Sequence, residues 1–134
     1  MESGLSKTVW IIDDDPIARL IVRKKLEKSG AFRILDEFEY AGKALEKLIL
    51  NHQTNSQNPD LILLDLNMPI MSGWDFLEEV SKLIPSPPTS VVILTSSINP
   101  EDITRSEDYS IVKTLLHKPL DIKELESHFK SKIG

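Results

Sequence analysis

Val9-Trp10-Ile11-Ile12-Asp13-Asp14-Asp15-Pro16 is the stretch whose reading decides the fold. Its four apolar residues run without alternation, as a strand buried on both faces does. Asp15 and Pro16 then read as an N-cap with proline at the first helical position. Leu61-Ile62-Leu63-Leu64-Asp65 and Val91-Val92-Ile93-Leu94-Thr95 repeat the form, an apolar run closing on a polar group. Weaker strands read at Arg33 to Phe38 and at Ile111 to His117. Between the strands the apolar period becomes helical. Ala18, Ile21, Val22 and Leu26 draw one stripe, and Ala41, Ala44, Leu45, Leu48 and Ile49 a second. Phe76, Leu77, Val80, Leu83 and Ile84 draw a third, and Ile122, Leu125, Phe129 and Ile133 the last. Asn99-Pro100 repeats the capping pair, and Asp121 with Glu124 resembles a capping box. From Asn99 to Tyr109 almost the only apolar residue is Ile103, which predicts a short, polar and loosely docked helix. His52 to Pro59 and Pro85 to Ser90 read as surface loops.

Strand and helix alternate five times, so the expected fold is α/β: a five-stranded parallel sheet in the order 2-1-3-4-5, doubly wound and flavodoxin-like. Its crossovers are right-handed, and its site lies at the carboxyl ends of the strands beside the switch between the first and third. The 134 residues make one domain, with a folded core over about 7–133 and no room for an output domain of ordinary size. Lys and Arg number 16 against 21 Asp and Glu, a net charge of −5 that disfavours nucleic acid as a partner. Cysteine is absent, which excludes disulfides, thiolate nucleophiles and cysteine metal sites together. The polar start and the lack of any run near the roughly 18 apolar residues of a membrane span point to a cytoplasmic protein with no membrane partner.

The strand ends carry the chemistry. Asp13, Asp14 and Asp15 end the first strand, Asp65 the third, Thr95 with Ser96 and Ser97 the fourth, and Lys118 the fifth. Carboxylates brought to 4 Å repel by roughly 4 kcal/mol per pair at an effective dielectric near 20, so something positive must compensate. A hard ion with oxygen ligands suits the set better than zinc does, and Mg²⁺ keeping several waters leaves positions open for a phosphoryl group. A carboxylate can take that group as an aspartyl phosphate. Asp65 stands alone at the central strand end and is the candidate, with Asp13 and Asp14 serving the metal and Thr95 and Lys118 bonding phosphoryl oxygens. Asp15, placed before Pro16, reads as a cap rather than a ligand. His117 is set to point away from Lys118, and His52 and His128 read as surface residues.

Ile11-Ile12-Asp13-Asp14-Asp15-Pro16, Leu63-Leu64-Asp65-Leu66-Asn67-Met68-Pro69 with Ser72-Gly73, Ile93-Leu94-Thr95-Ser96-Ser97 and His117-Lys118-Pro119 together resemble the receiver domain of two-component response regulators. The match covers roughly Lys7 to Ile133. The resemblance implies Asp65 as phosphoacceptor, and Mg²⁺ held by Asp14, Asp65 and the backbone carbonyl of Asn67, with Asp13 acting through water or as part of the acidic pocket. It implies Thr95, Ser96 and Lys118 as switch and phosphate-contacting residues, and Lys118-Pro119 as a candidate cis peptide. It implies a stand-alone module similar in plan to the chemotaxis regulator, phosphorylated by a sensor histidine kinase or phosphotransfer protein. Output to a downstream partner would run through the helix 4, strand 5, helix 5 face, and homodimerisation is left open. Such a module is a phosphoacceptor rather than an enzyme, apart from its own dephosphorylation.

One departure concerns the switch: three residues before the lysine, where receivers often carry Tyr or Phe, stands Leu115. A Mg²⁺-dependent phosphatase with an aspartyl intermediate needs a general acid two residues beyond the nucleophile, where this chain has Asn67. A nucleotide binder needs a loop of amides after the first strand, where three aspartates would repel phosphate. An unphosphorylated receiver-like scaffold is the remaining alternative.

Overall fold

Leu61, Ile62, Leu63 and Leu64 are almost wholly buried, and the strand they form is the centre of the sheet. In the computed structural model, which describes residues 6–68, 70–83 and 89–129, the elements alternate. They run β1 (Lys7–Ile12), α1 (Pro16–Ser29), β2 (Phe32–Phe38), α2 (Ala41–Thr54), β3 (Leu61–Asp65), α3 (Gly73–Leu83), β4 (Ser90–Thr95), α4 (Pro100–Ser106), β5 (Val112–His117) and α5 (Ile122–Ser127). The strands are parallel and lie in the order β2-β1-β3-β4-β5, as the sequence predicts. Alternate side chains feed two cores. Trp10, Ile12, Ile62, Leu64 and Ile93 pack against α2 and α3 on one side, and Val9, Ile11, Leu61, Leu63 and Val92 against α1 and α5 on the other. Each fully buried Leu or Ile contributes roughly 1.5–3 kcal/mol, so the central strands dominate the fold's stability.

The caps form where the sequence places them. Asp15 accepts a hydrogen bond from the Ile17 amide at 2.9 Å and Asn99 from Asp102 at 3.0 Å. Asp121 takes the amides of Lys123 and Glu124 at 3.0 and 3.2 Å. Gly30 ends α1 in the left-handed region, at φ 76°.

The helical stripes are narrower than the sequence suggests. On α1 Val22 and Leu26 are buried, but Ile21 is 46 % exposed, because one step along a helix turns a side chain by about 100° and only one arc meets the sheet. Leu83 is likewise exposed at the end of α3, and Ile84 and Ile133 lie outside the described residues, as does most of the Pro85 to Ser90 loop. His128, read as a surface residue, is half-buried at the C-cap of α5. The fourth helix is short and polar as expected, with only Ser106 buried. Ile103 is 46 % exposed, and a tether is supplied by Arg105, whose guanidinium lies 4.6 Å from the centre of the Trp74 ring. Trp74 in turn stacks on Tyr109 at 6.2 Å, and the Tyr109 hydroxyl donates to Glu78 at 2.9 Å.

Candidate functional site

Parallel register brings the polar strand ends together. Ile12 pairs with Leu64, so the residues that follow, Asp13 and Asp65, emerge side by side. Asp65 pairs with Leu94 and Thr95 with His117, which sets Thr95 and Lys118 on the far side of Asp65 from Asp13 and Asp14. The carboxylates of Asp13, Asp14 and Asp65 offer oxygens that all lie within 4.8 Å of one another. Asp13 and Asp65 are buried, at 5 % and 7 % exposure, and Asp14 is half-buried.

Lys118 answers this concentration of charge. Its Nζ donates to Asp13 Oδ2 at 2.9 Å and stands 3.5 Å from Asp65 Oδ1. Burial works against a charged Lys118, yet the hydrogen bond and charge of Asp13, with Asp65 behind them, outweigh it and hold the ammonium above its ordinary pKa. Asp65 moves up from the usual carboxylate value, first through burial and second through the charge of Asp13; Lys118 and the Asn67 amide, at 3.4 Å, pull against that rise. The Lys118-Pro119 peptide is cis, and the Lys118 amide donates to the Thr95 carbonyl at 2.8 Å, extending the β4–β5 ladder by one rung. His117 is exposed, its Nδ1 facing the Lys118 carbonyl.

Thr95 is 1 % exposed, and among the described residues its hydroxyl makes only long bonds, donating to the Ser97 carbonyl at 3.3 Å and accepting from the Ser97 amide at 3.4 Å. Ser96 and Asn67 are exposed beside the pocket. Asp15 is spent on its cap and does not join the acidic cluster. Leu115 packs in the same core as Trp74 and Tyr109. Tyr109 lies before β5 and bonds α3, so it does not take the place of the missing aromatic.

The reason for Gly73, a motif residue, and the role of Arg19 come from the structure alone. Gly73 is required by close approach: a Cβ there would lie 2.7 Å from the Asp65 carbonyl oxygen and 2.9 Å from Leu66 Cα. The Gly73 amide also donates to the Leu66 carbonyl at 3.0 Å, so the glycine holds the turn after Asp65 against the start of α3. Arg19, in the first turns of α1, reaches back so that its Nη1 donates to the Asp13 carbonyl at 2.6 Å. Side chains on a helix lean toward its N-terminus, which is the signal that points Arg19 at the strand end. Beyond Asp65 the loop carries Ile70 at φ 69°, a conformation costly to a β-branched residue, with its side chain 98 % exposed.

The donor set fits a hard divalent cation. Every ligand atom on offer is oxygen, and one ammonium leaves three clustered carboxylates under-neutralised. Asp14 and Asp65, with Asp13 behind them, are the side chains placed to hold such an ion.

The response regulator receiver domain family matches residues 9–130 of the chain. The rice two-component response regulator ORR1 is 32 % identical over 135 residues, covering 94 % of this chain and 55 % of that protein. The chain therefore spans about half the length of that curated relative. A two-component response regulator from Cytophaga hutchinsonii superposes with a TM-score of 0.84 at 23 % identity, over 92 % of this chain and 95 % of that one. The signal receiver domain of the response regulator NarL from Mycobacterium tuberculosis gives 0.75 at 25 %, over 96 % and 100 %.

Proposed function

The chain belongs to the response regulator receiver domain family, and on that footing we propose that Asp65 accepts a phosphoryl group from a sensor histidine kinase or phosphotransfer protein. Phosphoryl transfer and Mg²⁺ are general to that family. The observation that carries the reading here is the clustering of Asp13, Asp14 and Asp65 at the ends of β1 and β3, with Lys118 from the end of β5 against Asp13 and Asp65. Asp14, Asp65 and the Asn67 carbonyl would hold Mg²⁺, with Asp13 acting through water. Bound there, the ion supplies positive charge against the oxygens of the transferring group.

The chain's own groups do the rest. Asp65, raised in pKa and poorly neutralised, is the carboxylate with most to gain from a new partner. Thr95, Ser96 and Lys118 would contact the phosphoryl oxygens; the long bonds of the Thr95 hydroxyl exchange cheaply for a charged acceptor. Phosphorylation then shifts the chain toward the state that binds the phosphoryl group better and changes affinity for a partner at the α4, β5, α5 face. Ile17, Leu20 and Ile21 of α1 and Ile70 beyond Asp65 expose apolar side chains that a donor protein would cover. The reading is of a cytoplasmic receiver domain whose chemistry is to accept, and in time lose, a phosphoryl group.

Intact-protein mass after incubation with a small-molecule phosphodonor tests it, with and without Mg²⁺, on wild type and Asp65→Asn. One Mg²⁺-dependent adduct on the wild type alone is expected. An adduct that persists on Asp65→Asn refutes the site, and a folded, Mg²⁺-binding wild type that no donor labels is a scaffold.

A further inference from the structure

Asp13 is held at every polar atom. Its amide donates to the Phe38 carbonyl at 3.0 Å, Oδ1 accepts the Asp15 amide at 2.9 Å, and Oδ2 accepts Lys118 at 2.9 Å. Its carbonyl oxygen lies one residue past the end of β1, in a residue with little access to water, and Arg19 supplies the bond there at 2.6 Å. A buried carbonyl without a partner is costly, so this contact has structural force of its own. It also has a geometric consequence. The Asp13 carbonyl and the Asp14 amide belong to one planar peptide unit, and fixing its oxygen fixes the direction in which Asp14 leaves.

Arg19 is itself anchored. Its Nε stands 3.6 Å from Glu37 Oε1, and Arg23 grips the same carboxylate through two bonds of 2.6 and 3.1 Å. The Arg19 side chain is only 17 % exposed, so the guanidinium has one place to be. A relay thus runs from Glu37 on β2 through Arg19 to the peptide that presents Asp14.

We propose that Arg19 is a positioning residue for the Mg²⁺ site, holding the Asp13-Asp14 peptide so that the Asp14 carboxylate faces Asp65, with Glu37 as its anchor. The inference rests on the reading of the acidic cluster as a Mg²⁺ site. Charge alone argues for the opposite outcome: a guanidinium bonded to the backbone of the acidic loop repels a second cation, so its removal would tighten Mg²⁺ binding. The sign of the change separates positioning from charge.

The test is calorimetric titration of Mg²⁺ alone into wild type, Arg19→Ala, Arg19→Lys, Glu37→Gln and the Arg19→Ala/Glu37→Gln pair, with thermal melts in chelator alongside. Arg19→Ala is expected to weaken Mg²⁺ binding about tenfold, the scale for groups that orient ligands. Arg19→Lys, which keeps a charged donor, recovers part of the loss. Glu37→Gln weakens binding less, and adds nothing once Arg19 is gone. Unchanged or tighter binding by a folded Arg19→Ala overturns the proposal. If that variant does not fold, unchanged affinity in both Arg19→Lys and Glu37→Gln overturns it. A wild type that binds no Mg²⁺ overturns the metal-site reading, and this inference with it.

Discussion

Replacing Asp65 by asparagine should make the metal-free protein more stable. The oxygens of Asp13, Asp14 and Asp65 lie within 4.8 Å of one another, where each like-charge pair costs about 3.5 kcal/mol at an effective dielectric near 20. Against two such repulsions Asp65 has one attraction, Lys118 at 3.5 Å, worth about 5 kcal/mol on the same scale. Burial adds to the deficit. After solvent screening the expected gain for Asp65→Asn is about 1–2 kcal/mol at neutral pH, or roughly 3–8 °C in Tm for a chain of this size. The pH dependence follows from the raised pKa of folded Asp65, which holds its proton more tightly than the unfolded chain, whose carboxyl titrates near 3.8. The stability carried by the protonated form is therefore complete below the unfolded value and is lost as pH rises through the folded one. The variant's advantage should be small near about pH 3.5 and open above it. Excess Mg²⁺ should close the gap, since a ligand at a hundredfold over its Kd stabilises by about 2.7 kcal/mol and the variant lacks one carboxylate to hold it. Urea or thermal melts in chelator, with and without Mg²⁺ and at several pH values, measure all three effects. Equal or lower stability of Asp65→Asn in chelator at neutral pH would refute the reasoning, and so would an advantage that does not change with pH.

Lys118→Ala removes the ammonium bonded to Asp13 at 2.9 Å, so the metal-free fold should lose about 1–3 kcal/mol, less than a fully buried pair because Lys118 is partly exposed. Mg²⁺, freed from a competing cation, should bind that variant more tightly, as titration would show. Gly73→Ala sets a Cβ 2.7 Å from the Asp65 carbonyl and should cost about 1–3 kcal/mol, with slower phosphoryl labelling. Gly42→Ala, where a Cβ meets nothing within 4 Å, is the control and should lose no stability. Arg105→Ala lifts the cation from the Trp74 ring, for a loss of about 0.5–1 kcal/mol and a change in Trp emission that is absent in the Trp74→Phe background.

The fold was legible because its decisive elements are local. Four consecutive apolar residues closing on aspartate or threonine cannot alternate between core and water, so they read as central strands whatever surrounds them. Asp15-Pro16 and Asn99-Pro100 mark helix starts within two residues. What stayed hidden depends on residues far apart in sequence. Whether Ile21 faces sheet or water turns on how α1 is rotated against the sheet, which no single-helix pattern fixes. The Arg105, Trp74 and Tyr109 stack joins α3 to the segment before β5, a contact between distant residues that composition does not show. At the site, the sequence ordered the carboxylates and the lysine by strand. The lean of helical side chains toward the N-terminus was the one signal that Arg19 could close on the Asp13 backbone, and it is weak, because a charged residue on an early helical turn is ordinarily solvated.

Lys118 links the two halves of the proposed chemistry. In the metal-free protein it leans on Asp13, at 2.9 Å, more closely than on Asp65, at 3.5 Å, so the proposed acceptor is the carboxylate left with the weaker hold. A phosphoryl group on Asp65 brings roughly one further negative charge and three strong acceptor oxygens to the same spot. Lys118 then has a better partner than Asp13, and Thr95 a better one than the Ser97 carbonyl at 3.3 Å. Both groups sit at strand ends joined by the bond from the Lys118 amide to the Thr95 carbonyl, so neither can shift without loading that rung. On the proposed chemistry the response would start in the β4 and β5 backbones rather than in an aromatic ring, because Leu115 has no polar tip with which to follow the threonine.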